Sequence, residues 1–222
     1  MVELPEGARP MKAIRSRAGL LAILAMLAAA GAAQAASLTI TVLDKDGQPA
    51  PDVAVLVRPL IASTLKPALP ASVVVDQEKM QFKPFLTIVV PGTPLRFSNR
   101  DGFDHHIRGT APAGAQDFEV RIAPQAQKAL EPGLEKTGRY ALACHLHSSM
   151  RGYVLVSDTP WFARTDAQGK ATLEGLPDGP ADVVPWHPEQ FADQAAQRVT
   201  LGAAATTLNG QLNFTPRKRR VY

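Results

Sequence analysis

Gly138-Arg139-Tyr140-Ala141-Leu142-Ala143-Cys144-His145-Leu146-His147-Ser148-Ser149-Met150-Arg151-Gly152-Tyr153-Val154-Leu155-Val156 reads as a strand, a short polar loop and a returning strand. The stretch contains the only cysteine of the chain and spaces it C-x2-H-x2-M with His147 and Met150. A thiolate, an imidazole and a thioether at that spacing converge from one tight loop on one soft metal ion. Two other readings of Cys144 compete. A free cysteine is often an inert buried hydrophobe, and a cysteine beside a histidine can act as nucleophile and base. No orienting third group or oxyanion arrangement accompanies this pair. The chain also lacks a G-x-S-x-G elbow, a zinc-protease helix motif and a phosphate-cradling loop.

A further imidazole is available upstream, in Asn99-Arg100-Asp101-Gly102-Phe103-Asp104-His105-His106-Ile107. Two histidine nitrogens and a thiolate, with a weak axial methionine sulfur, form a blue-copper electron-transfer site. His105 and His106 compete for the place, because neighbours on an extended strand face opposite ways. Met150 fits a core position as well as an axial one, since methionine fills irregular gaps. The histidine left over and His145 are then exposed or support the ligands. His187, in Trp186-His187-Pro188, reads as structural.

A chain of 222 residues is long enough for one large or two modest domains with their own core. Its many Pro and Gly residues, with little sign of long, charged amphipathic helices, lean toward a β-rich fold. The net charge of +4 is partly an end effect of Arg217-Lys218-Arg219-Arg220, read as a solvated tail. No basic stripe interleaved with aromatics is present, which argues against nucleic acid as a partner. Lys12, Arg15 and Arg17 precede an apolar run from Ala18 to Ala30 and the small-residue pattern Ala33-Gln34-Ala35. This is the form of an export signal cleaved after Ala35, with Met11 a candidate for the true start. The mature chain is then expected in a bacterial periplasm, with no transmembrane segment. A single cysteine in an oxidising space cannot form an internal disulfide, which leaves pairing between chains, a free thiol or metal ligation.

Outward from the centre, Leu38–Leu43 and Val53–Val57 read as strands, with Asp44-Lys45-Asp46-Gly47 as a turn and a hairpin expected between them. Ser72–Asp76 reads as another strand. Two more are expected around Pro91-Gly92 within Phe82–Asn99, and one at Phe118–Ile122. The opening pair, the later Thr165-Asp166-Ala167-Gln168-Gly169 and Gly175-Leu176-Pro177-Asp178-Gly179, and the strand around Ala181–Val184 resemble the carboxypeptidase regulatory-like module. That module is a small transthyretin-like β-sandwich. Between its parts, Phe82-Lys83-Pro84, Pro91-Gly92-Thr93, Phe97-Ser98-Asn99, Gly102-Phe103-Asp104-His105 and Gly138-Arg139-Tyr140 resemble plastocyanin-like cupredoxins. The Cys144, His147, Met150 spacing and Arg151–Val156 are similar to amicyanin. Asp104 and His106 replace a Pro and an Asn of the family pattern. The whole combination, with Trp161-Phe162-Ala163-Arg164 following, resembles methylamine-utilisation-type cupredoxin-like proteins of bacteria.

The resemblance implies an all-β fold, a Greek-key cupredoxin β-sandwich combined with the small transthyretin-like β-sandwich module. Its divisions are a signal at 1–35, the module at 36–59 and 158–214, the cupredoxin part at 60–157 and a basic tail at 215–222. It also implies one type 1 copper held by His105, Cys144, His147 and Met150, with His147 as electron port. Apolar surface near Phe103, Leu146 and Met150 would dock a periplasmic redox protein such as a cytochrome c or a dehydrogenase. The protein would be a monomeric carrier of single electrons and not an enzyme. A copper carrier or reservoir without a redox role is the alternative, with Asp104 solvating the site and His106 and His145 assisting capture. In a third reading the metal site is vestigial and the module binds an envelope partner.

Overall fold

The computed structural model describes residues 35–218, so residues 1–34 of the expected signal and the last four residues of the basic tail lie outside the described residues. The described chain is all-β, with sixteen strands. In the first half these are β1 (Ala36–Leu43), β2 (Ala54–Pro59), β3 (Val73–Glu78), β4 (Gln81–Lys83), β5 (Leu86–Val89), β6 (Leu95–Asn99), β7 (His105–Thr110) and β8 (Phe118–Ile122). The second half adds β9 (Gln127–Leu130), β10 (Gly138–Cys144), β11 (Arg151–Val156), β12 (Trp161–Arg164), β13 (Lys170–Leu176), β14 (Gly179–Trp186), β15 (Gln197–Leu201) and β16 (Thr206–Gln211). They form four sheets, ordered β13-β1-β16, β12-β2-β14-β15, β4-β3-β6-β9 and β5-β11-β10-β7-β8.

The sheets pair through their cores. Leu38, Ile40 and Val42 of β1 share one buried cluster with Val55 and Val57 of β2 and Val183 of β14. Val75, Phe97, Ile107, Leu142 and Val154 belong to a second, which joins the remaining two sheets. A third cluster of Ala54, Leu56, Leu86 and Leu155 links β2 to β5 and β11. The side-chain period of two explains this arrangement. On β2, Val55 and Val57 enter the first cluster while Ala54 and Leu56 enter the third, so the strand is buried on both faces and reads as an unbroken apolar run. β11 does the same, with Val154 and Val156 in the second cluster and Leu155 in the third.

The hairpin expected between the first two strands does not form. β1 lies between β13 and β16, and β2 between β12 and β14, in different sheets. Both edges of each strand are thus occupied. Pro49 and Pro51, which follow the turn, lack the N–H groups a continuing ladder needs. The turn itself is formed as expected: the Asp44 carboxylate accepts from the N–H groups of Asp46 and Gln48, both at 2.9 Å. Asp166 repeats the pattern with Gln168 and Lys170 at the same distances. Ahead of it, the buried Thr165 hydroxyl donates to Ala50 O and accepts from Val53 N–H, which ties this second turn to the start of β2.

Gly47 and Gly169 occupy equivalent places in the two turns, with φ of 77° and 71°. Their surroundings differ. A Cβ at Gly47 would meet nothing within 4 Å, whereas one at Gly169 would fall 2.3 Å from the carbonyl oxygen of Val42. Gly47→Ala is expected to cost about 1–2 kcal/mol for the left-handed conformation alone. Gly169→Ala adds displacement of β1 and costs roughly a further 1–3 kcal/mol, as overpacking does. Denaturant unfolding of both variants checks the order.

Candidate metal centre

The site is built where β7 begins and β10 ends. These strands are neighbours near the middle of the five-stranded sheet, with Cys144 opposite Ile107 in the ladder. Alternation sends His105 and Ile107 to the same face. Ile107 and Cys144 belong to the same buried cluster, and His105 is fully buried. His147 comes from the loop after β10, which is closed by a 2.9 Å hydrogen bond from Met150 N–H to the carbonyl of His147. The result brings together three of the four residues singled out in the sequence, His105, Cys144 and His147. Cys144 Sγ lies 3.7 Å from His105 Nδ1 and 3.5 Å from His147 Nδ1. One donor atom from each of these three residues falls within 4.8 Å of the other two. The two imidazole centroids are 4.9 Å apart, and the Phe103 ring packs on both at 5.3 and 5.0 Å. Met150 is buried in the same apolar cluster as Cys144.

Asp101 was not singled out in the sequence, and it organises this site. Its carboxylate is 2.9 Å from His105 Nε2 and accepts the backbone N–H groups of Lys79 and Met80 at 2.7 and 3.0 Å. Burial opposes its ionisation, but the Met80 amide, the His105 ring and the Lys79 amide outweigh that and hold the carboxyl below its ordinary range. An ionised carboxylate only accepts, so Nε2 of His105 carries the hydrogen. In the neutral ring this leaves the Nδ1 lone pair on the Cys144 side. Lys79 and Met80 adopt left-handed backbone, φ 53° and 56°, with their N–H groups turned to this one acceptor. Asn99 braces the same loop: its amide donates to the carbonyls of Phe103, Ile122 and Ala123, and its oxygen accepts from Asp101 N–H. The only sequence signal for this role was an Asp four residues before a candidate His, too common to stand out.

The other expected residues fall as follows. Of the competing pair, His105 enters the site and His106 does not. His106 and His145 lie together, each bonded to Glu119 at 3.1 Å. Asp104 is engaged by Arg121, with contacts of 3.0 and 3.3 Å, so its charge is answered at the surface. His187 is buried against Phe214, as a structural residue would be. One expectation is corrected: Met150 is 1% exposed and contributes nothing to an apolar surface, its side chain being drawn into the core by the loop that closes on His147. Phe103 and Leu146 are exposed as expected, at 42% and 50%, and Met80 is the exposed methionine at this end, its amide held by Asp101.

A thiol and two imidazoles whose donor atoms lie this close together form a set suited to soft or borderline ions, copper and zinc among them. No family model matches the chain, and no curated protein does. Solved structures do show likeness. A Cu(I) form of an amicyanin mutant is 24% identical, with a TM-score of 0.35 over 39% of this chain and 83% of that one. A reduced amicyanin mutant is 22% identical, with a TM-score of 0.36 over 46% and 98%. The copper-containing nitrite reductase of Thermus scotoductus is 22% identical, with a TM-score of 0.37 over 46% of this chain and 26% of that one.

If Asp101 positions His105, Asp101→Ala weakens the thiolate site for a probe ion such as Co(II) by about 10–100-fold, the usual scale for such partners. Competition against a chelator measures it. Asp101→Asn retains one acceptor oxygen and falls between. Unchanged affinity in both variants would rule out the positioning role.

Proposed function

We propose that this protein is a periplasmic type 1 copper protein that carries single electrons between redox partners and catalyses no reaction of its own. In this reading His105, Cys144, His147 and Met150 hold the copper. One observation carries it: a buried thiol with two imidazole nitrogens converging on it, at 3.7 and 3.5 Å. Bound copper would supply a one-electron couple between Cu(I) and Cu(II). The protein's part is to keep the donors from rearranging as the charge changes. The ladder between β7 and β10 fixes Cys144, Asp101 fixes the ring of His105, and the turn closed by Met150 fixes His147.

His105 and Cys144 are buried, while His147 is half-buried, so His147 is the donor through which the site meets the surface. Phe103 packs on its ring, and Leu146 precedes it. Both are exposed and offer an apolar surface at His147 suited to brief docking of a periplasmic cytochrome c or dehydrogenase. Export rests on the signal-like residues 1–35. The copper part corresponds to residues 60–157, inserted between residues 36–59 and 158–214 of the regulatory-like module, which serves as scaffold or partner-binding face.

Titration of the purified protein with Cu(II), followed by visible and electron-spin resonance spectra, tests the reading. An intense blue thiolate-to-copper band with narrow hyperfine splitting, lost in Cys144→Ser, is expected. A pale complex that survives the mutation would overturn it and favour a copper carrier without a redox role.

A further inference from the structure

The face of the five-stranded sheet opposite Cys144 carries a second cluster of donors. His106 follows His105 and His145 follows Cys144, so alternation sends one member of each pair to each side of the sheet. A hydrogen bond of 2.9 Å from His145 N–H to His106 O sets the two histidines side by side, with ring centroids 4.7 Å apart. Glu119 reaches them from β8. Arg121 is the residue opposite His106, and Glu119, two positions earlier, shares its face, within diagonal reach of a long side chain.

The bonding around Glu119 is selective. Each of its oxygens meets a different ring: Oε2 with His106 Nε2 and Oε1 with His145 Nε2, both at 3.1 Å. The nearby guanidinium groups are engaged elsewhere, Arg108 by Asp117 at 3.1 Å and Arg121 by Asp104 at 3.0 Å. The carboxylate is therefore left to the two imidazoles. The two ring nitrogens and one carboxylate oxygen all lie within 4.8 Å of one another.

We propose that His106, Glu119 and His145 form a second metal site, which takes one divalent transition-metal ion of the Zn(II) or Cu(II) class. Two imidazoles and a carboxylate suit borderline ions; the set lacks the sulfur that Cu(I) favours and the oxygen-rich shell that Ca(II) and Mg(II) require. Metal–ligand bonds of about 2.0–2.2 Å need the donor atoms slightly closer together than they stand. Small rotations of the three side chains supply that, since Glu119 and His145 are exposed and His106 is half-buried. Binding through Nε2 uses the neutral tautomer of each ring that carries its single hydrogen on Nδ1, which leaves the Nε2 lone pair for the ion. Three protein donors leave a position for water. The exposed ion path needs no opening of the core, and the site does not depend on copper at Cys144.

Zn(II) titration by calorimetry tests this on the full chain carrying Cys144→Ala, which removes the thiolate of the buried site. One equivalent of Zn(II) is expected to bind, and binding is expected to be lost when His106→Ala and His145→Ala are added. Glu119→Gln in the same background, which keeps the shape of the side chain, is expected to weaken binding at least tenfold. Far-UV circular dichroism verifies that each variant remains folded. Absence of binding by the Cys144→Ala chain, or binding that survives loss of both histidines, overturns the proposal. Should the double histidine variant fail to fold, Zn(II) affinity unchanged in Glu119→Gln overturns it as well.

Discussion

The pairing of β7 with β10 is the constraint on which both donor clusters depend. The ladder sets Cys144 opposite Ile107, and the strand period then decides which side chains enter the core and which face outward. A slip of one residue would exchange the faces and place His106 and His145 where His105 and Cys144 now stand. Several apolar residues oppose such a slip. Ile107 and Leu142 lie in the same buried cluster as Cys144, and turning them outward would expose two large side chains at about 1.5–3 kcal/mol each. Ordinary core packing thus holds the register of both sets of candidate donors.

A second constraint acts on the loops at this end of the sheet. Asp101 gathers two backbone amides from the turn between β3 and β4 and the Nε2 of His105 onto one carboxylate. Left-handed backbone at Lys79 and Met80 is unfavourable by roughly 1–2 kcal/mol per residue, and the charge-assisted bonds to Asp101 offset part of that. The turn, the loop before β7 and the histidine are therefore one unit. Displacing any of them removes a partner from a carboxylate that is 9% exposed.

The parts of the molecule legible in the sequence are those encoded locally. The C-x2-H-x2-M spacing lies in one loop, the Asp44 and Asp166 turns each close within five residues, and the long β-branched runs read as strands because they are strands. The choice of His105 over His106 came from a family pattern and agrees with the burial of the two rings. What escaped depends on contacts between distant segments. β1 was expected to pair with its neighbour in sequence, yet its partners are β13 and β16, more than a hundred residues away. β9, β15 and β16 gave little signal, since each is polar and at most one residue in any of them is buried. The role of Asp101 depends on Lys79 and Met80, and that of Glu119 on histidines from β7 and from the loop after β10; neither pairing has a local pattern.

Burying a thiol and an imidazole in an apolar core is unfavourable unless their polar atoms find partners. For His105, one ring nitrogen has Asp101 and the other faces only a sulfur at 3.7 Å, a weak interaction. The His147 ring likewise directs Nδ1 at that sulfur from 3.5 Å. Hydrophobic residues of similar volume would pack here with less polar desolvation. The arrangement instead retains three convergent donor atoms, with the outer nitrogen of His105 braced by a buried carboxylate. This is what a cation-binding site requires, because an ion bound there gains from each donor while the scaffold has already met the entropy of ordering them. Across the sheet two imidazoles and a carboxylate stand at the surface instead, where they carry less desolvation penalty and an ion could come and go without disturbing the core.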